Sequence, residues 1–161
     1  MAEVCLILHN LRSTQNVGAI FRTAEAAGVT NIYLTGYTPA PVDRFGRLNR
    51  AVLKSSLGAE KLVKWKKIQN ISRLLSKLKA NSLPDGEAGY KLIALEQDSN
   101  SISYKKVKIK SPAAIILGNE VTGLSKSILK QCDIVAEIPM HGKKESLNVS
   151  VATGIFLFQA L

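Results

Sequence analysis

The chain opens with an uninterrupted apolar run, VCLIL at 4–8. The run is short and rich in branched residues, and it predicts a strand buried on both faces of a parallel sheet. The period then changes. Between Asn16 and Ala27 the apolar residues Val17, Ile20, Phe21, Ala24 and Ala27 recur at helical spacing. Asn16 is placed to cap this helix, and Gly28 to stop it. NIYLTG at 31–36 reads as a second strand, so the first 36 residues predict one β-α-β unit.

Residues 37–66 carry a weaker pattern: TPAP marks a loop, the Arg-rich stretch 44–54 predicts a short helix and LVKW a strand. Asn70 then caps a helix with an apolar stripe of Ile71, Leu74, Leu75 and Leu78. LPDGEAG is a turn-rich break. Three more strands are predicted, KLIAL at 91–95, AAIIL at 113–117 and IVAEI at 134–138, with a short helix after Ser125. The last segment, NVSVATGIFLFQAL, is apolar nearly all round, so its helix must be buried on several sides, against its own sheet or a second subunit. Strands alternating with helices predict an α/β fold, a mostly parallel sheet with helices on both faces.

Composition narrows the setting. At 161 residues the chain suits one domain with a real core. No window approaches the roughly 18 apolar residues of a membrane span. The acidic start, MAEVCLILHN, does not resemble a signal peptide, which favours a cytoplasmic protein. Cys5 and Cys132 lie far apart, outside any zinc-like spacing, and read as small buried hydrophobes. His9 and His141 read as hydrogen-bonding loop residues rather than catalysts. The net charge of +10 points to an anionic partner, and its distribution sharpens that. Between Asp43 and Lys79 stand eleven basic residues against two acids, as expected of a surface that follows a phosphate backbone. A lysine-rich solvated face is the alternative.

In an open parallel sheet, ligands bind beyond the carboxyl ends of the strands, so the loops there carry the chemistry. Three are unusual: HNLRSTQN after the first strand, GNEVTGLS after AAIIL, and PMHGKKESLN after IVAEI. Glycines flank Glu120 where backbone could approach a ligand closely, and Ser146 and Asn148 lead directly into the terminal helix. No phosphate-binding loop, GxGxxG, HExxH or GxSxG occurs, which removes the commonest nucleotide and hydrolase readings.

Asn10-x-Arg12 with NVGAIFRTAEAAG, then ILGNEVTGLS, then IPMHGKKESLNVSVA, resembles the three signature motifs of the SpoU (TrmH) family of RNA ribose methyltransferases, in the SPOUT superfamily. Residues, order and spacing all match, over nearly the whole chain. The resemblance implies a C-terminal trefoil knot, S-adenosylmethionine as methyl donor, a homodimer, and transfer of a methyl group to a ribose 2′-hydroxyl of RNA, tRNA favoured over rRNA. It implies a cofactor site at Leu95, Gly118, Ile138, Met140, Ser146 and Leu147, and catalytic positions at Asn16, Arg22, Glu120, Ser146 and Asn148. No metal is implied. Arg22 corresponds to the family's proposed activating residue, but a guanidinium stays protonated and is a poor base. A positioning and electrostatic role suits it better. Unlike larger members, residues 1–161 read as a single methyltransferase domain without a separate RNA-binding domain. RNA contacts then fall to Arg12, Arg44, Arg47, Arg50 and Lys54. A non-catalytic RNA-binding protein of the same fold is the rival reading.

Overall fold

The computed structural model describes residues 2–80 and 89–161, so most of the LPDGEAG break lies outside the described residues. Seven strands form one sheet: β1 (Val4–His9), β2 (Asn31–Thr35), β3 (Lys64–Ile68), β4 (Lys91–Leu95), β5 (Ile102–Ser103), β6 (Ala113–Leu117) and β7 (Ile134–Glu137). Their order is β3-β2-β1-β6-β4-β7-β5, and every pairing is parallel. The helices are α1 (Thr14–Ala26), α2 (Arg50–Ser56), α3 (Ile71–Ala80), α4 (Lys126–Leu129) and α5 (Val149–Ala160).

Alternation along the central strand builds a core on each face of the sheet. Val4, Leu6 and Leu8 of β1 join Val17, Ile20 and Phe21 of α1 and Phe156 and Leu157 of α5. Cys5 and Ile7 face the other way, toward Ile71, Leu74, Leu75 and Leu78 of α3 and Ile128 of α4. The expected fold class is therefore the one observed.

Local boundaries differ where side chains compete to define them. Ser13, not Asn16, caps α1: its hydroxyl accepts the Asn16 N–H at 3.1 Å, and the cap falls three residues earlier than periodicity predicts. The predicted stop holds, with Gly28 at φ +75° directly after the C-cap Ala27. The LVKW strand is shifted to Lys64–Ile68, because a 3-10 turn at Ala59–Lys61 occupies the residues before it. β5 was not predicted, since two residues carry no periodicity.

Two packing details place the later chemistry. A Cβ on Gly18 would stand 2.5 Å from the Val52 carbonyl oxygen and 2.8 Å from the Ser56 nitrogen, so only glycine lets α1 and α2 touch backbone to backbone. The basic helix α2 is thereby held against α1. In α5, Thr153, Phe156, Leu157 and Ala160 are buried, whereas Val151, Ile155 and Phe158 form an exposed apolar stripe. No helix among the described residues is long and apolar enough to cross a membrane.

Candidate active site at the carboxyl edge of the sheet

The loops that follow β4, β6 and β7 enclose a cleft of about 620 Å³ with the start of α1 and of α5. It lies beyond the carboxyl ends of β6, β4 and β7, three adjacent strands of the sheet. All six positions assigned to the cofactor line it: Leu95, Gly118, Ile138, Met140, Ser146 and Leu147. So do four of the five catalytic positions, Asn16, Glu120, Ser146 and Asn148. Gly118 is needed there for close packing, because a Cβ would sit 2.7 Å from the Gly123 carbonyl carbon and 2.8 Å from the Leu124 nitrogen.

Glu120 joins the loop after β6 to the start of α1. Its carboxylate accepts the backbone N–H groups of Arg12 at 3.0 Å and Ser13 at 3.1 Å, and the Asn16 amide at 3.3 Å. These donors stand at the N-terminus of α1, where the helix dipole also favours negative charge. Asn16 Oδ1 accepts the Asn148 amide at 3.0 Å, and Asn148 Oδ1 accepts the Ser150 N–H at 2.9 Å as the cap of α5. A continuous chain Glu120–Asn16–Asn148 thus ties the β6 loop, α1 and α5 together and fixes both amide orientations. Among the described residues the Ser146 hydroxyl has no protein partner, which leaves it free for a ligand.

Partial burial pushes the Glu120 carboxyl upward, but the N–H groups of Arg12, Glu120 itself and Ser13, with the Asn16 amide, together hold it below its ordinary 4.5. Stability from a depressed carboxyl is present above the unfolded value and is lost as pH falls through the lower folded one. Glu120→Gln is therefore expected to melt below wild type near pH 7, with the gap narrowing as the pH falls below 4.5. Thermal melts between neutral and acid pH measure it, and a gap independent of pH would contradict this account.

Behind the cleft, Asn119 donates to the Asn10 carbonyl and to the Tyr37 hydroxyl, both at 2.9 Å, while its Oδ1 accepts the N–H groups of Val121 and Thr122. Asn10 takes the left-handed conformation, φ +56°, and its side chain accepts the Tyr37 N–H. Lys67 donates to the carbonyls of Gly36 and Thr38, pinning the segment that carries Tyr37, and burial lowers its pKa. His9 bridges Thr35 and Asn10, and burial lowers its pKa, a supporting role.

The sequence reading missed Asn119 and the acids Glu96, Glu137 and Glu145. GNE contained Asn119 in plain view, but a buried amide bridging two loops leaves no periodic signal. With Glu120, these put four of the chain's twelve acids around one cleft of a protein that is +10 overall. The cleft is thus an acidic recess in a basic molecule. Among the described residues no cluster of three His, Cys, Asp or Glu is arranged to hold a metal ion.

Arg22 stands apart. Six residues after Asn16 it has turned about 240° round the helix. It lines a second, shallower concavity of about 350 Å³ with Ala19, Thr23, Ala26 and Phe158. Arg12 is exposed at the cleft rim, its N–H bound to Glu120, while Arg44, Arg47, Arg50 and Lys54 are exposed on the β2–α2 connection and α2.

Fold and site together define an open parallel-sheet α/β domain with a ligand cleft at the carboxyl edge. The SpoU rRNA Methylase family model matches residues 3–158, and the chain belongs to that family. It is 35% identical over 153 residues to an uncharacterized tRNA/rRNA methyltransferase of Archaeoglobus fulgidus, covering 95% of this chain and 62% of the relative. It is 34% identical over 160 residues to the 23S rRNA (guanosine-2'-O-)-methyltransferase RlmB of Xylella fastidiosa, covering 97% and 57%. The chain therefore spans less than two thirds of the length of either. Its fold matches the AdoMet-bound rRNA methyltransferase of Sinorhizobium meliloti with a TM-score of 0.84 and 28% identity, over 98% of this chain and 55% of the other. The A. aeolicus TrmH/SpoU tRNA modifying enzyme matches with a TM-score of 0.82 and 28% identity, over 99% and 74%.

Proposed function

We propose that this chain is an S-adenosylmethionine-dependent methyltransferase acting on a ribose 2′-hydroxyl of RNA. The observation that carries this reading is the cleft, whose Glu120–Asn16–Asn148 chain stands beside apolar walls and a ring of acids. The donor, when bound, supplies a methyl group on a positively charged sulfur. Glu96, Glu120, Glu137 and Glu145 complement a cation, while Leu95, Ile138, Met140 and Leu147 suit its apolar parts. Glu120 orients rather than deprotonates: it already accepts three hydrogen bonds and its pKa is lowered, not raised. Ser146 and the amides of Asn16 and Asn148 then position the ribose, leaving Arg22 to polarise the hydroxyl or hold its phosphate.

For Arg22 to reach a cleft it does not line, the site is completed by a second copy. The apolar stripe of α5 adjoins the Arg22 concavity through Phe158, so one dimer contact covers the stripe and carries Arg22 to the partner. The trefoil knot belongs to the same reading and fits β4 lying between the later strands β6 and β7. The 161 residues act as one domain in the cytoplasm, with RNA contacts at Arg12, Arg44, Arg47, Arg50 and Lys54.

We place tRNA first as substrate, and the relatives named for both tRNA and rRNA make both pools part of the test. Incubation with labelled methyl donor and unmodified tRNA and rRNA, followed by mapping of 2′-O-methylated nucleotides, is expected to label tRNA. Label in rRNA alone would reverse the substrate order. RNA binding without label in either pool would favour the non-catalytic reading.

A further inference from the structure

The connection between β2 and α2 holds an exposed turn that the cleft does not use. Asp43 organises it: Oδ1 accepts the N–H groups of Phe45 at 2.8 Å and Arg47 at 3.0 Å, and Oδ2 pairs with Arg47 Nε at 2.7 Å. The Asp43 N–H donates to the Arg47 carbonyl at 2.9 Å, Val42 and Leu48 form an antiparallel bridge, and Gly46 supplies φ +78°. This is a fixed turn, and it points an aromatic ring into solvent. Phe45 is 66% exposed and belongs to neither hydrophobic core. The guanidinium of Arg44 lies 4.7 Å from its ring centroid and that of Arg47 5.1 Å.

The two arginines are not equivalent. Arg47 is committed to Asp43, whereas among the described residues Arg44 has no carboxylate partner. Whatever meets this turn must therefore offer both a flat π face and negative charge, since Arg44 stands on it, Arg50 and Lys54 follow on α2, and its one acid is already paired. A second copy of the chain would bring like charge to like. An unpaired nucleotide offers the base and the phosphate together.

We propose that the Arg44–Phe45–Arg47 turn is a base-stacking subsite, in which one unpaired RNA base takes the Arg44 side of the Phe45 ring. Arg44 swings from the ring to the neighbouring phosphate, and Arg47 stays in place as the fixed edge. This deepens the proposed RNA methyltransferase function and rests on it. The subsite recognises a base near the methylated nucleotide and leaves the chemistry to the cleft. Any base has a π face, so it contributes affinity for unpaired structure rather than for one sequence.

The test uses the full chain and two probes: unmodified tRNA transcript, and single-stranded RNA of about a dozen nucleotides carrying 2-aminopurine at successive positions. Phe45→Ala is expected to weaken binding of both by about 5- to 150-fold, and Phe45→Leu nearly as much. Phe45→Trp should restore it. Wild type should quench 2-aminopurine fluorescence on binding, and the alanine variant should do so much less. Arg44→Ala should lower the salt slope of binding by about one ion. Circular dichroism and melting confirm that each variant folds. Equal RNA affinity for wild type and Phe45→Ala, or full affinity in Phe45→Leu, would overturn the stacking subsite while the methyltransferase reading stands. Conversion of a dimer to monomers by Phe45→Ala would overturn it as well, by making the ring a subunit contact. A wild-type chain that neither binds nor methylates RNA would defeat the parent reading itself.

Discussion

Arg22→Ala is expected to lower the rate of methyl transfer about 100- to 1000-fold, the usual consequence of removing a group that stabilises charge in the transition state. Its affinity for the methyl donor should change little, because the proposed role of Arg22 is toward the ribose hydroxyl and its phosphate, and Arg22 is not among the residues assigned to the donor. The stronger form of the prediction uses two inactive proteins. Asn148→Ala damages the cleft, and Arg22→Ala damages the neighbouring concavity. If Arg22 acts on the partner's cleft, a mixed dimer holds one site with both residues intact. Random reassociation of the two variants should then recover about a quarter of the wild-type rate. If Arg22 served its own cleft, every site in the mixture would lack one residue, and activity would stay near zero. Asn148 also caps α5, so the alanine variant should lose about 1 kcal/mol of stability, and its melt must be checked at the assay temperature.

The second large effect separates two phenylalanines on one helix. Phe156 is fully buried in the core under the sheet, and Phe156→Ala should cost about 3–5 kcal/mol through lost burial and the cavity left behind. Phe158, two residues on, is 66% exposed at the edge of the Arg22 concavity. Phe158→Asp should leave each subunit folded but abolish the proposed dimer and, with it, the proposed methyl transfer. Sedimentation beside thermal melts distinguishes them. A dimeric, active Phe158→Asp protein would remove α5 as the subunit contact.

How much of this was legible in the sequence depended on whether a feature is local. β1, β4 and β6 are continuous apolar runs, so their bounds could be read within a residue. The start of α1 could not, because Ser13, Thr14 and Asn16 can all cap a helix. What decides among them is Glu120, more than a hundred residues away, which holds the Arg12 and Ser13 N–H groups and leaves Ser13 to cap Asn16. β3 was misplaced for a related reason. KWKKI is an edge strand with exposed lysines, and its polar face dilutes the apolar signal.

The motifs named nine of the residues that line the cleft, since the positions assigned to catalysis, Arg22 apart, and all those assigned to the cofactor lie together there. They could not show that Arg22 faces another way, because that follows from helical phase once the true cap is known. Nor could composition reveal the acids around the cleft. Glu96, Glu137 and Glu145 are scattered along the chain, and only the order of the strands gathers them.

That order also sets a timetable for a growing polypeptide. Of these seven strands β1 is made before the others, yet one of its two edges waits for β6, as Val4 pairs with Ala113. Glu120 must then arrive to secure α1, and Asn148 to join the chain through Asn16. Contacts between such distant residues form slowly and late. On the ribosome, the early β-α-β unit stays half-covered until most of the chain has emerged. The proposed donor binding thereby becomes a property of the assembled cleft, and capture of a methyl donor can be used to time completion of that folding.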